Sequence, residues 1–475
     1  MLTSNSVDMK SIYKYIAISL SLAAFTGCKK YVDIKTQGNL VPNQTINYRY
    51  LLNNNSAFEP TASLGDYASS DIEINDASQV TSLLAGSFYL PFVKAYTWQT
   101  NIFPLGSSEE IDQNWRALYA NILVCNTIIN ELPASDGTEA EKAALIAEAK
   151  VHRADAYLAL VNTYAKPYNA ATAATDLGVP LLLEQTISQK LNRATVRVIY
   201  DQILSDLTTA TGSLPNTQVL NNLPSKASAY GELARCYLLL HDYTNAGRYA
   251  DMALAMRNTL VDLSAYEASN LFNYPTRFRN PEILLSRTPQ DFSAGYPPKI
   301  FKLSSAYRNI LLPTDLRFTL FTTAGNLVSS DYDPNGRFFT KENAIGQSRN
   351  EGPSVPEMML IRAEVYARNG DATNAMLWVN RLRQKRFKAA DYIALTATSA
   401  SDALVKVINE RRIEFYGTSL RWYDMRRLKD EEPFRVTYTK TFNNVTYTLA
   451  PNSDRYVFPI AEVLRKTNPE LEQNP

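Results

Sequence analysis

Ser225–Leu254, SKASAYGELARCYLLLHDYTNAGRYADMAL, carries large side chains at Tyr230, Leu233 and Tyr237 beside Ala234, then Tyr243 followed by small residues at Ala246, Ala250 and Ala253. Spacings of three and four put each set on one helix face, so the stretch reads as two helices, the first supplying knobs and the second holes. A single pair cannot bury its apolar face, and further copies should stack on it. The same frame recurs at Ala363, Tyr366, Gly370, Ala375 and Leu382, with Asn369-Gly370-Asp371 as the break between helices. A third copy starts at Arg153-Ala154-Asp155-Ala156-Tyr157. Its second helix lies beyond the insertion AKPYNAATAATDLGVPLLLEQ, in ATVRVIYDQILSDLTTAT, where Thr195 is placed to cap it. A fourth helix, Asn114 to Leu132, stops at Pro133.

The expected fold is therefore mainly all-α: a superhelix of tetratricopeptide-like helix pairs with a loop-rich lobe containing short β hairpins. Residues 50–110 and 255–350 supply the lobe. Insertions of that length in a globular chain are usually functional.

With 475 residues, 45% hydrophobic and 20% charged, the chain can bury ordinary cores and does not read as disordered. Lys and Arg total 48 against 47 acids, and a net charge of +1 gives no field for steering toward nucleic acid. Twenty-nine tyrosines stand out. They suit either helical packing or a binding surface.

Near the N-terminus, Lys10 and Lys14 precede the apolar run Tyr15–Phe25, which has the length of a secretory signal and is too short to span a bilayer. Residues 1–27 read as a signal peptide beginning at Met1 or Met9. Phe25-Thr26-Gly27-Cys28 resembles a bacterial lipobox, making Cys28 the expected lipidation site and anchoring the mature chain to a membrane.

Cys125 and Cys236 fall in helical apolar stripes and read as core residues rather than a disulfide. With two histidines and neither CxxC nor HExxH, no metal site or cofactor is expected, and no catalytic residues are assigned. Asp331, Asp333, Asn335, Gly336 and Glu342 have the spacing of an EF-hand calcium loop. Their flanks lack the required helices and Pro334 stiffens the loop, so Asp333-Pro334-Asn335-Gly336 reads instead as a hairpin turn between LVSSDY and RFFTK.

The densest charge in the chain lies in INERRIEFYGTSLRWYDMRR, residues 408–427. Leu404, Ile408, Arg411 and Phe415 share one helical stripe, which turns Arg411 into the packed face. Glu414 is its expected partner, with Glu410 and Asp424 as further acceptors, because a buried arginine must be paired. Gly417 is placed to end the helix and Ser419 to cap a second one carrying Trp422 and Tyr423. This is a helical corner rather than a catalytic carboxylate pair.

The segment ERRIEF, a glycine and LRWYDMRR resembles the signature of the SusD/RagB family, outer-membrane nutrient-binding lipoproteins of Bacteroidetes. Glu410, Arg411, Arg412, Glu414, Phe415, Arg421, Trp422 and Asp424 carry it. CKKYVDI, HRADAYLALVNTYAKPY and FPIAEVLRKTNPELEQNP agree in order, so the resemblance covers nearly all of the mature chain. Gly417-Thr418-Ser419 stands where the family commonly has glutamate-glycine. The family likeness divides the chain into residues 28–215, a central helix pair at 216–270 and a C-terminal region at 271–475. It implies a non-enzymatic lipoprotein at the cell surface, lidding a SusC-like TonB-dependent transporter and taking oligosaccharides or, in some members, peptides.

Sugar rings stack on aromatic planes while amides and carboxylates take their hydroxyls. KAYTWQTNIFP supplies Tyr96, Trp98, Gln99 and Asn101, and its Trp-Gln pair is similar to the segment that contributes a stacking tryptophan in the starch-binding family member. DYASSDIEIND adds Tyr67, Asp71 and Glu73. The alternative for Trp98 is a packing role under the loop, and Trp115 and Trp378 read as core. A glycoside hydrolase would need two carboxyl groups across a cleft, for which Asp71 and Glu73 are the local pair.

Overall fold

The structure is a computed structural model that describes residues 43–186, 188–271, 273–290 and 299–474. The signal peptide and Cys28 lie outside the described residues. Nine helices of nine residues or more occur among the described residues: α1 (Gln113–Glu131), α2 (Glu139–Tyr164), α3 (Val196–Ala210), α4 (Lys226–Leu239), α5 (Tyr243–Met256), α6 (Val355–Arg368), α7 (Ala372–Arg383), α8 (Ala400–Glu414) and α9 (Leu420–Leu428). Each of the first seven packs on its successor, and α8 packs on both α6 and α7. This is the expected superhelix of helix pairs.

The opening stretch forms α4 and α5. A capping box between Ser225 and Ser228 starts α4, and the Asp242 side chain accepts from Asn245 N–H to start α5. Leu233, Ala234, Ala246, Ala250 and Ala253 are fully buried, and Tyr237 stacks on Tyr249 at 5.5 Å. The break between helices needs a left-handed residue. Gly370 supplies it in the α6–α7 pair (φ 86°), whereas His241 bears the strain in the α4–α5 pair (φ 59°). Thr195 caps α3 through Val198 N–H, and Cys125 and Cys236 are buried free thiols, both as expected.

Strands are short and occur as two-stranded pairs, among them Thr322–Ala324 with Arg337–Phe339 and Tyr438–Phe442 with Val445–Leu449. The first of these corrects the expected hairpin. The turn at Asp333–Gly336 forms, with Gly336 N–H donating to Asp333 C=O, but the strand after it pairs with 322–324 and not with LVSSDY. Glu342, the last position of the calcium spacing, is buried beside Arg349 instead of facing the loop. Among the described residues, no group of three His, Cys, Asp or Glu could hold a metal ion. Trp115 is buried, but Trp378 is only half-buried, lying near Arg381 at the edge of the core. No helix of the described residues is long and apolar enough to cross a membrane.

Candidate functional site

The charged corner organises the lobe end of the molecule. Beyond α8 the chain turns through Gly417 (φ 77°) into α9, which lies on the short helix Leu64–Ala68. That approach requires Gly65: a Cβ there would sit 3.0 Å from Ser419 Oγ and Trp422 Cδ1. Ser419 stands at the helix start without capping it through its side chain, because its hydroxyl is drawn to Asp66 at 2.5 Å.

The pairing expected for Arg411 also changes. Its Nε donates to Asp424 at 2.9 Å, and Asp424 accepts from Arg427 at 2.8 Å. Arg427 forks onto Glu364 at 2.6 and 2.7 Å, and Glu364 also holds Arg368 at 2.8 Å. Glu414 is taken instead by Arg386 and Arg317, each at 2.7 Å, and Glu410 by Arg317 at 2.7 Å and Arg383 at 3.0 Å. The reason is direction: Glu414 faces the arginines from residues 317 and 386, while Asp424 on α9 closes over Arg411. Burial alone would raise the Glu364 carboxyl, but Arg427 and Arg368 outweigh it and hold it at about 2.

One residue along, Arg412 turns the other way. It pairs with Asp71 at 2.6 Å, and Arg421 approaches the same carboxylate at 3.4 Å. These two arginines stand on the wall of a cavity of about 580 Å³. Helix α8 contributes Ile408, Asn409 and Arg412, and α9 contributes Arg421, Asp424, Met425 and Leu428, at spacings of three and four that place each set on one face. Ser70, Glu73 and Ser304–Ala306 form another wall. Pro433–Thr441, including the first strand of the C-terminal hairpin, completes it. Asn443 and Asn444 turn that hairpin, both with positive φ (48° and 62°), the geometry of a tight two-residue turn.

Of the residues singled out from the sequence, Glu73, Tyr96, Trp98, Arg412, Arg421 and Asp424 line this cavity. Trp98 is 4% exposed, in a left-handed conformation (φ 53°), with its indole N–H donating to Ala68 C=O at 2.9 Å. It packs in the main core and borders the cavity. Tyr67 does not line it, being fully buried against Phe92 and Phe301. Gln99 turns to Thr97 Oγ1 at 2.8 Å, and Asn101 is exposed outside the lining. Asp71 is 1% exposed behind the arginines. Burial would raise its carboxyl, yet Arg412 and Arg421 overcome this and keep it below the usual carboxylate range. A carboxylate whose charged form is favoured by two arginines is a poor general acid. Glu73 accepts from Asn75 Nδ2 at 2.7 Å and from Ser305 N–H at 3.0 Å.

Lys440 was not anticipated. Its side chain points inward from the strand, with the ammonium 4.0 Å from the ring centre of Tyr96 and 4.6 Å from that of Trp98. Among the described residues its nitrogen hydrogen-bonds only the carbonyls of Ala68 and Tyr67, at 3.4 and 3.5 Å, and burial pushes the group well below the ordinary lysine range. The signal in the sequence was alternation: Tyr438, Lys440 and Phe442 share one strand face.

A second cavity, of about 600 Å³, is bordered by Lys166, Tyr168, Asp176, His241, Lys429 and Asp430. Its lysines already have partners, Lys166 with Asp176 at 3.3 Å and Lys429 with Asp430 at 2.6 Å.

The structure presents a scaffold of helix pairs with an aromatic, polar cavity beside its charged corner. Comparison with known proteins places it more closely. A family profile described as starch-binding and associating with the outer membrane matches residues 31–238, and the SusD family profile matches residues 355–475. The chain belongs to the SusD/RagB family. It is 24% identical over 386 residues to SusD-like protein P2 of Formosa agariphila, covering 70% of this chain and 74% of that protein. Among solved structures it is similar to a SusD-like carbohydrate binding protein from Bacteroides vulgatus, with 20% identity, TM-score 0.65 and 90% and 97% of the two chains covered. Surface glycan-binding protein A from Bacteroides uniformis gives 16% identity and TM-score 0.66, covering 90% and 99%.

Proposed function

We propose that this chain is a cell-surface glycan-binding lipoprotein, held to the outer membrane through Cys28, that captures an oligosaccharide in the cavity beside the α8–α9 corner and passes it to a SusC-like TonB-dependent transporter. The observation that carries the reading is the make-up of that cavity. Rings of the half-buried Phe434 and Tyr438 stand among Asn75, Ser304, Ser305 and Asn409, with Tyr96 and Trp98 buried behind Lys440, the mixture of apolar planes and hydroxyl-binding groups that a sugar requires. The names of relatives, a carbohydrate binding protein and a surface glycan-binding protein, point the same way.

The protein binds without turnover on this reading, since Asp71 is locked between arginines and Glu73 is held by neutral donors. Calorimetric titration of the chain from Lys29 onward with plant, fungal and host oligosaccharides should give binding to one class with no reducing-sugar release. Binding of peptides with silence toward every glycan would replace this reading with peptide capture. Release of reducing sugar, lost in Asp71→Asn or Glu73→Gln, would replace it with hydrolysis.

A further inference from the structure

One end of the cavity holds more positive charge than its own carboxylates answer. Arg412 and Arg421 share the single carboxylate of Asp71. Lys440 is not part of this imbalance: it has no carboxylate within 4 Å among the described residues, feels Asp71 only from further off, and burial disfavours its charged form. The other carboxylates of the wall are occupied elsewhere: Asp424 by Arg411 and Arg427, and Glu73 by Asn75 and Ser305. Arg421 donates through Nη2 to Ser70 Oγ at 2.9 Å, its Nε lies 3.4 Å from Asp71 without hydrogen-bonding to it, and its Nη1 has no hydrogen-bond partner among the described residues. A buried cation left short of counter-charge is costly unless something completes the pairing.

We propose, resting on the glycan reading above, that the cavity selects saccharides bearing an acidic substituent, a uronic carboxylate or a sulfate ester, and that Arg421 receives it with Arg412 supplying the neighbouring positive charge. A guanidinium with a free amino edge matches an oxyanion in shape as well as in sign. The Tyr96 and Trp98 rings hold Lys440 at the same end of the site, and Tyr438, whose hydroxyl lies 3.5 Å from Arg421 Nη2, offers the adjoining ring face.

The test is calorimetry on the full chain in detergent with three sets of probes: oligouronides, the same oligouronides with carboxyls reduced to alcohols, and sulfated oligosaccharides beside their desulfated forms. The expected result is binding of an acidic probe that weakens at least about tenfold when its carboxyl is reduced or its sulfate removed. Arg421→Gln should lower affinity for the acidic probe by about tenfold and for the neutralised one by less than about threefold, a difference that misfolding cannot produce. The carboxyl and sulfate arms tell the two substituents apart.

Equal binding of acidic and neutralised probes overturns this inference and leaves the glycan reading standing. Binding of neutral oligosaccharides alone does the same. Binding of acidic peptides with no saccharide bound overturns both, as does silence toward every saccharide.

Discussion

Arg411 and Arg412 are neighbours in sequence with opposite surroundings. Arg411 enters a closed lattice in which Asp424, Arg427, Glu364 and Arg368 answer one another, all buried or nearly so. Arg412 enters an open set in which it and Arg421 share Asp71 and Lys440 stands caged between rings on a cavity wall. The first arrangement leaves Arg411 Nη1 without a hydrogen-bond partner among the described residues, but it pairs each buried arginine with a carboxylate and locks α6, α8 and α9 together. The second retains donor capacity toward a space large enough for a ligand. Charge density alone does not mark a site; charge left incompletely answered does.

The largest effect should follow from breaking the buried set around Arg411. Glu364→Gln leaves Arg427 and Arg368 without their shared carboxylate and should cost about 3–5 kcal/mol in denaturant unfolding at pH 7. The sign of its pH dependence is fixed. A carboxyl held at about 2 in the folded chain, against about 4.3 when unfolded, contributes stability above pH ~4.3 and loses it as pH falls toward 2. The gap between wild type and Glu364→Gln should therefore narrow over that range, and a constant gap would contradict the assignment. Asp71→Asn, at the cavity wall, should cost less, about 1–3 kcal/mol, because Arg412 and Arg421 can turn toward water in the cavity. Equal losses in the two variants would erase the distinction drawn here.

Ligand effects come next. Tyr438→Ala should weaken saccharide binding by about 1–2 kcal/mol with little change in unfolding, since the ring is half-buried on the cavity wall. Asn409→Ala should have the smallest effect, about 0.5–1.5 kcal/mol in affinity, the worth of a hydrogen bond to a neutral group. Calorimetry checks both.

Much of this was legible beforehand. Helix periodicity gave the pairs, Thr195 announced its cap, and the family signature located the corner. What escaped reading was direction in space. Glu414 lies three residues from Arg411 and was its natural helical partner, yet residues 317 and 386, distant in sequence, claim it. Trp98 was visible as an aromatic in a loop, but only the fold reveals that its N–H is spent on Ala68. Lys440 was invisible because a lysine in an alternating strand normally faces water, and its inward turn depends on rings at residues 96 and 98.

The most direct test of the central claim is a crystal structure of the protein with its best-binding oligosaccharide. The account predicts sugar density in the cavity between Tyr438, Asn409 and Arg421, with any acidic group within about 3 Å of Arg421. Density in the cavity beside Tyr168 and His241, with the first left empty, would contradict it.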